Sequence, residues 1–148
     1  MRRTIRVLSV LLTLLSATAS LSAQDRDPVR STGRANGFSL EQNYPNPFNP
    51  ETTIPFTLGE DLFVDGRPVV VSLRIFNLLQ QVVAVPVALG HPSGEGTPVL
   101  QLEYGSPGQY EAFWDGLDGS GRQVASGIYF MQLTVNGVSQ NRKMYVMK

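Results

Sequence analysis

Gly127-Ile128-Tyr129-Phe130-Met131-Gln132-Leu133-Thr134-Val135, then Asn136-Gly137, then Val138 to Met147 (VSQNRKMYVM) is the stretch that decides the fold. Tyr129, Met131, Leu133 and Val135 fall on one side of the first run, the period-2 spacing of a strand with one buried face. In the second run, from Ser139 to Met147, Gln140, Arg142, Met144 and Val146 share one face. Asn141, Lys143 and Tyr145 share the other. Asn-Gly between two alternating runs is the strongest short-range hairpin signal, because both residues accept the positive φ of a type I′ turn. The stretch predicts an antiparallel β-hairpin.

The same alternation recurs upstream. Thr52 to Leu58 places Ile54, Phe56 and Leu58 on one face, and Pro55 points to an edge position because it cannot donate to a ladder. Val69 to Phe76 sets Val69, Val71, Leu73 and Ile75 against Val70, Ser72 and Arg74. Gln81 to Leu89 reads as a β-branched run broken by Pro86, and Thr97 to Tyr104 as a further strand. Gln109 to Trp114 puts Tyr110 and Ala112 opposite Glu111 and Phe113. Asp65-Gly66, His91-Pro92-Ser93-Gly94, Gly105-Ser106-Pro107-Gly108, Asp115-Gly116 and Asp118-Gly119 supply turns between them. No helix-length amphipathic stretch occurs in this region. About seven short strands with turns between them predict an all-β fold, a β-sandwich of antiparallel strands over residues 38–148, which the family likeness below makes immunoglobulin-like.

Ahead of the strands lies Phe38-Ser39-Leu40, then Gln42-Asn43-Tyr44-Pro45-Asn46-Pro47-Phe48-Asn49-Pro50. Prolines this dense exclude a ladder and bias their predecessors to extended geometry, while the asparagines suit turns. An ordered loop is expected, anchored by Tyr44 and Phe48 on the core, with Tyr44-Pro45 a candidate cis bond.

The N-terminus reads differently. Arg2, Arg3 and Arg6 precede an apolar run from Val7 to Leu15, and small residues follow to Ala23. Charge, short apolar core and small-residue exit make a cleavable signal peptide over 1–23, too short to span a bilayer as a retained helix. Cleavage after Ala19 and after Ala23 both fit; the polar onset at Gln24 favours Ala23. Residues 24–37 (QDRDPVRSTGRANG) then form a polar, flexible leader. The 12 basic and 12 acidic residues of the whole chain become nine against twelve once 1–23 is removed, a net charge of −3. A weakly acidic chain without a basic run has no electrostatic footprint for nucleic acid. The 125 residues left support one domain, expected to be monomeric and without a transmembrane span in the mature chain. Cysteine is absent, which removes disulfides and thiolate chemistry.

Three blocks carry a family likeness. They are Leu40 to Pro50 with its Asn43, Pro45, Asn46, Pro47, Phe48, Asn49 and Pro50; Val71 to Val83 (VSLRIFNLLQQVV); and Trp114 to Phe130 (WDGLDGSGRQVASGIYF), followed by Arg142 to Lys148. In that order the chain resembles the type A C-terminal sorting domain of type IX secretion cargo, from Phe38 to Lys148. The block holding Trp114, Asp115, Gly116, Asp118, Gly121 and Gly127 is also similar to the immunoglobulin-like domain of flagellar hook-capping proteins and of modules appended to extracellular proteases. Two departures stand out. Gln80 occupies a position where the family has glycine, and the stretches 59–68 and 90–96 exceed the compact family pattern.

The resemblance implies a non-catalytic module that crosses the inner membrane by the general export route. Outer-membrane machinery then recognises it, a surface cysteine protease acts on it, and it resides at the cell surface or outside the cell. The residues it implies for sorting are Gly127, Tyr129, Arg142, Lys143, Met144, Val146 and Lys148, in the last hairpin, Gly127 to Lys148, whose terminal strand offers unpaired backbone to a receptor. Deleting Arg142–Lys148 is expected to abolish surface delivery. Only 24–37 precedes the domain, so the chain reads as an orphan tail, a tiny cargo or a module used in its own right. The alternative is an extracellular structural or adhesive binding module like the hook-capping relatives.

Catalytic and cofactor chemistry finds little support. Asp115, Asp118 and Ser120 lack the ligand number and closing bidentate acid of a calcium loop, so a hydrogen-bonded turn is expected there. His91 is the single histidine and reads as a solvated loop residue. The serines lack a nucleophile-elbow context and the acids are scattered. No cofactor or metal is expected. Tyr44, Phe48, Phe76, Tyr110, Phe113, Tyr129 and Phe130 are expected mostly to build the core rather than a binding stripe.

Overall fold

The computed structural model describes residues 36–148. The signal peptide and all of the leader but Asn36 and Gly37 lie outside the described residues. The described region holds nine strands: β1 (Phe38–Leu40), β2 (Thr52–Leu58), β3 (Val69–Phe76), β4 (Val82–Ala84), β5 (Val87–Leu89), β6 (Leu102–Tyr104), β7 (Gly108–Trp114), β8 (Gly127–Val135) and β9 (Val138–Val146). One sheet has the order β1-β2-β7-β5. The other has the order β4-β3-β8-β9, with β6 pairing the opposite end of β3 from β4. Every strand pair is antiparallel. The fold is the expected all-β sandwich, and its helical content among the described residues is one 3-10 turn, Glu60–Leu62. No helix among those residues is long and apolar enough to cross a membrane.

The core is the alternation made physical. Ile54, Phe56 and Leu58 from one sheet meet Val71, Leu73, Ile75, Met131 and Leu133 from the other, all nearly inaccessible. Burying each such side chain contributes about 1.5–3 kcal/mol against leaving it in water. Trp114 enters the core at 2% exposed, its indole N–H donating to the Leu117 carbonyl at 2.8 Å. It packs edge-on against Phe48 and Tyr129.

Nine strands replace the expected seven for local reasons. The run Gln81–Leu89 divides at Val85-Pro86, and its halves join different sheets: β4 pairs β3, while β5 pairs β7. The run Thr97–Tyr104 also divides. Residues 97–99 bond the β5 segment (Ala88 N–H to Thr97 O, 2.8 Å; Val99 N–H to Pro86 O, 2.9 Å), and Gln101 at φ 51° turns the chain into β6. Phe38–Leu40 is the ninth strand, lying against β2.

Pro55 does not mark an edge. β2 is interior, between β1 and β7. The proline is accommodated because β1 ends opposite Phe56, and just beyond that end Glu41 N–H donates to the Pro55 carbonyl at 2.9 Å. No ladder donor is required of residue 55 there.

Candidate functional site

The hairpin that decides the fold also forms the candidate site. Asn136 and Gly137 take φ of 46° and 86°, as the two-residue turn demands. Asn136 also bridges to β3, its N–H donating to Val70 O and its Oδ1 accepting from Val70 N–H. The turn aligns Phe130 with Lys143, Gln132 with Asn141 and Thr134 with Ser139.

β9 is the outermost strand of its sheet, and its outer edge divides into two unlike halves. In the half nearer Met147, Tyr145 N–H donates to Asn46 Oδ1 at 3.0 Å, and Phe48 N–H donates to Tyr145 O at 3.0 Å. Met147 N–H reaches Phe48 O at 3.0 Å, and Gln42 Nε2 reaches Lys143 O at 3.1 Å. The asparagine-proline loop therefore seals this half, with Phe48 bridged in parallel to Val146. Tyr145 directs both backbone groups outward, so the antiparallel alternation turns Lys143, Asn141 and Ser139 outward as well. Among the described residues, the N–H and C=O groups of Ser139 and Asn141 and the N–H of Lys143 meet no partner. The expected terminal strand with unpaired backbone is present over half of its length only.

The loop that makes the seal is itself built on asparagines. Asn43, 2% exposed, donates from Nδ2 to Pro45 O and Thr52 Oγ1, at 3.1 and 2.9 Å. Tyr44-Pro45 is cis as expected, and so are Asn46-Pro47 and Asn49-Pro50. Phe48 is buried as expected. Tyr44 is not: it is 51% exposed on the outer face of the other sheet, its hydroxyl bonded to Glu111, which holds its pKa above the ordinary tyrosine value.

The edges of the two sheets are stitched by side chains of β9. Leu40 N–H donates to Gln140 Oε1, and Gln140 Nε2 donates to Phe38 O, both at 3.0 Å. One side-chain amide thus offers β1 the donor and acceptor that a neighbouring strand residue would offer. Arg142 Nε bonds the Leu40 carbonyl beside it. The sequence pattern gave no sign of Gln140's part; Asn46 did stand inside the distinctive asparagine-proline block.

The residues expected to carry sorting separate by exposure. Tyr129, Met144 and Val146 are core, with the Tyr129 hydroxyl donating to Ala125 O. Gly127 opens β8 at φ 152°. Arg142 is half-buried, and Lys143 and Lys148 are exposed, Lys143 standing 5.6 Å from the Tyr145 ring centre.

Charge is distributed unevenly. Arg67 and Arg122 form ion pairs with Asp65 and Asp118. The other basic residues among those described, Arg74, Arg142, Lys143 and Lys148, lie on β3, on β9 or just beyond it. β3, β4, β8 and β9 contain no acid, the carboxylate on a strand of that sheet being Glu103 of β6, opposite Val70; β1, β2, β5 and β7 contain no Lys or Arg. On the basic face, Phe76 and Phe130 pair across strands and, with Leu78, Gln132 and Asn141, line a groove of about 730 Å³.

The remaining candidates are structural. Asp118 Oδ1 accepts from Ser120 N–H, Ser120 Oγ and Arg122 N–H, forming the expected turn. The Ser120 hydroxyl bond, with the backbone donors, lowers its pKa to about 2. His91 is not a solvated loop residue. Its Nδ1 accepts from Ser93 N–H, its Nε2 bonds Glu103 O at 2.9 Å, and its ring packs edge-on to Tyr104. Among the described residues no group of three or more His, Asp or Glu side chains is placed to hold a metal. Of the aromatics, Phe48 and Tyr129 are buried and Tyr110 packs on Phe56 and Tyr104, while Phe76, Phe113 and Phe130 are half-buried on the outer faces.

No protein-family model matches this chain, and no curated protein matches it. Among solved structures, it is similar to part of PorZ, an essential surface component of the type-IX secretion system of Porphyromonas gingivalis: 19% identity, TM-score 0.42, 72% of this chain and 11% of that one. It is similar to part of latent dimeric PorU of the same organism, at 19% identity and TM-score 0.47 over 74% of this chain and 9% of that one. It is also similar to part of the alkylpurine DNA glycosylase AlkC of Pseudomonas fluorescens: 14% identity, TM-score 0.47, 76% of this chain and 31% of that one. This chain spans a small fraction of each. Overlaps so partial and divergent leave the functional reading to the residues themselves.

Proposed function

We propose that this chain is a non-catalytic sorting module, recognised at its terminal hairpin for delivery across the outer membrane by a type IX secretion machinery. The observation that carries the reading is the open half-edge of β9, at the border of its sheet and bearing Arg142 and Lys143. The ordered resemblance of Phe38 to Lys148 to sorting domains supports it, and so does the export signal read in residues 1–23. In this reading the two parts of the chain address successive membranes, and its destination is the cell surface or outside the cell.

Deleting Arg142–Lys148 is a poor test, because it removes the buried Met144 and Val146 and the partners of Asn46 and Phe48. A cleaner experiment inserts a folded reporter within the leader and expresses the full chain in a bacterium that carries the machinery. The reporter is expected on the surface or in the medium, and in the periplasm when the machinery is inactivated. A reporter that stays periplasmic beside an intact machinery sinks the proposal. Mass spectrometry of the delivered material then reads whether the domain is cleaved off, as sorting predicts, or kept, as an adhesive module would be.

A further inference from the structure

We infer that the open half of β9, Ser139 to Lys143, is a docking edge for an extended, acidic strand of a partner protein. The inference deepens the sorting reading and rests on it only for the biological setting. Sheet edges are normally blunted, and here all are but half of β9. β1 is capped by the Gln140 amide and Arg142, β4 and β6 are three residues long, β5 is bonded by residues 97–99, and half of β9 is sealed by the asparagine-proline loop. In the Ser139–Lys143 half, Ser139, Asn141 and Lys143 are exposed, and both backbone groups of Ser139 and Asn141 and the Lys143 N–H are directed outward. An added strand would satisfy those groups as a ladder.

The charge argument selects the partner's chemistry. A strand laid on this edge directs its side chains alternately to the two faces. On the outer face they meet Lys143 and Asn141, with Gln132 of β8 in the row behind and Arg74 of β3 beyond it. On the inner face they meet Gln140 and Arg142. Neither β3 nor β8 nor β9 supplies a carboxylate to neutralise these cations. Carboxylates on both faces of the incoming strand are therefore favoured, and cations are rejected. The chain's own residues 24–35 fit poorly, with three arginines against two aspartates. A second copy of β9 fits poorly too, since it brings two Arg142 and two Lys143 together without an acid.

The test uses the purified mature chain, with short peptides of repeated Val-Glu-Glu-Val or Val-Lys-Lys-Val as probes, which carry the charge on both faces of a strand. The acidic peptide is expected to slow hydrogen exchange at the Ser139, Asn141 and Lys143 amides, with an effect that weakens as salt is raised. The lysine peptide is expected to leave them unchanged. Asn141→Pro removes an outward N–H that makes no bond to β8, so the variant is expected to keep its melting temperature while binding the acidic peptide about tenfold more weakly. Lys143→Glu is expected to lower affinity for the acidic peptide without unfolding the chain. Unchanged exchange at these amides, equal response to both peptides, or full affinity in a folded Asn141→Pro overturns the inference. So does a dimer that Asn141→Pro dissociates without any peptide. Acidic-peptide binding by a chain whose reporter stays periplasmic would sink the sorting reading and leave this one standing.

Discussion

At Gly116 the backbone takes φ 76° so close to the asparagine-proline loop that a Cβ would stand 2.2 Å from the Pro50 carbonyl oxygen. Neither partner is a flexible side chain that can move aside. Gly116→Ala combines left-handed strain with a backbone clash and is expected to cost about 3 kcal/mol, read as a drop in the urea midpoint. Gln80 is the converse. It sits at φ 59° in the turn organised by Asn77, whose Oδ1 accepts from Leu79 and Gln81 N–H. Glycine takes that conformation without the Cβ penalty, so Gln80→Gly is expected to stabilise by about 0.5–1 kcal/mol in the same assay. Glutamine at position 80 therefore leaves the turn in place and strains one residue. The sequence makes Gly116 and Gln80 visible as turn residues, but the close approach of Pro50 depends on packing between distant segments.

At the scale of elements, what could be read in advance followed period and turn chemistry. The β8–β9 hairpin, the inward face of β3 and the burial of Trp114 all follow from two-residue alternation or one large apolar ring. Which sheet a strand joins does not follow from alternation, and so Gln81–Leu89 and Thr97–Tyr104 each divided between sheets. Gln140 shows the same limit: alternation places it inward among core residues, but its value lies in geometry across the sandwich. Gln140→Leu keeps the size and leaves Leu40 N–H and Phe38 O without the amide. It is expected to destabilise by about 1–2 kcal/mol and to raise hydrogen exchange at the Leu40 amide more than at β2. An equal rise along the whole of β2 would mean that the stitch is not local.

Across the whole molecule, two tyrosine and carboxylate sites set how stability responds to pH. Tyr104 is 3% exposed, its hydroxyl has no partner among the described residues, and burial raises its pKa to about 12. A raised tyrosine pKa means stability that is complete below about pH 10 and lost as pH climbs toward 12. Tyr104→Phe is expected to flatten that alkaline fall and to add about 1 kcal/mol near neutrality, measured by thermal melts across pH. Asp118 behaves oppositely. With its pKa lowered from 3.8 to about 2, its contribution is present above pH 3.8 and fades as pH falls toward 2. Asp118→Asn is expected to shallow the acid limb of the same profile. The interlock between residues 38–48 and 139–147 bears on time as well as on stability. Leu40 and Gln140 are 100 residues apart, and Tyr145 and Asn46 are 99 apart. Contacts so distant along the chain carry a large loop-closure cost and form late. Until β9 has been synthesised, β1 and the asparagine-proline loop have only β2 and their own internal bonds to hold them. A ribosome thus always handles an unclosed sandwich, and closure waits for the segment that the outer-membrane step is proposed to read.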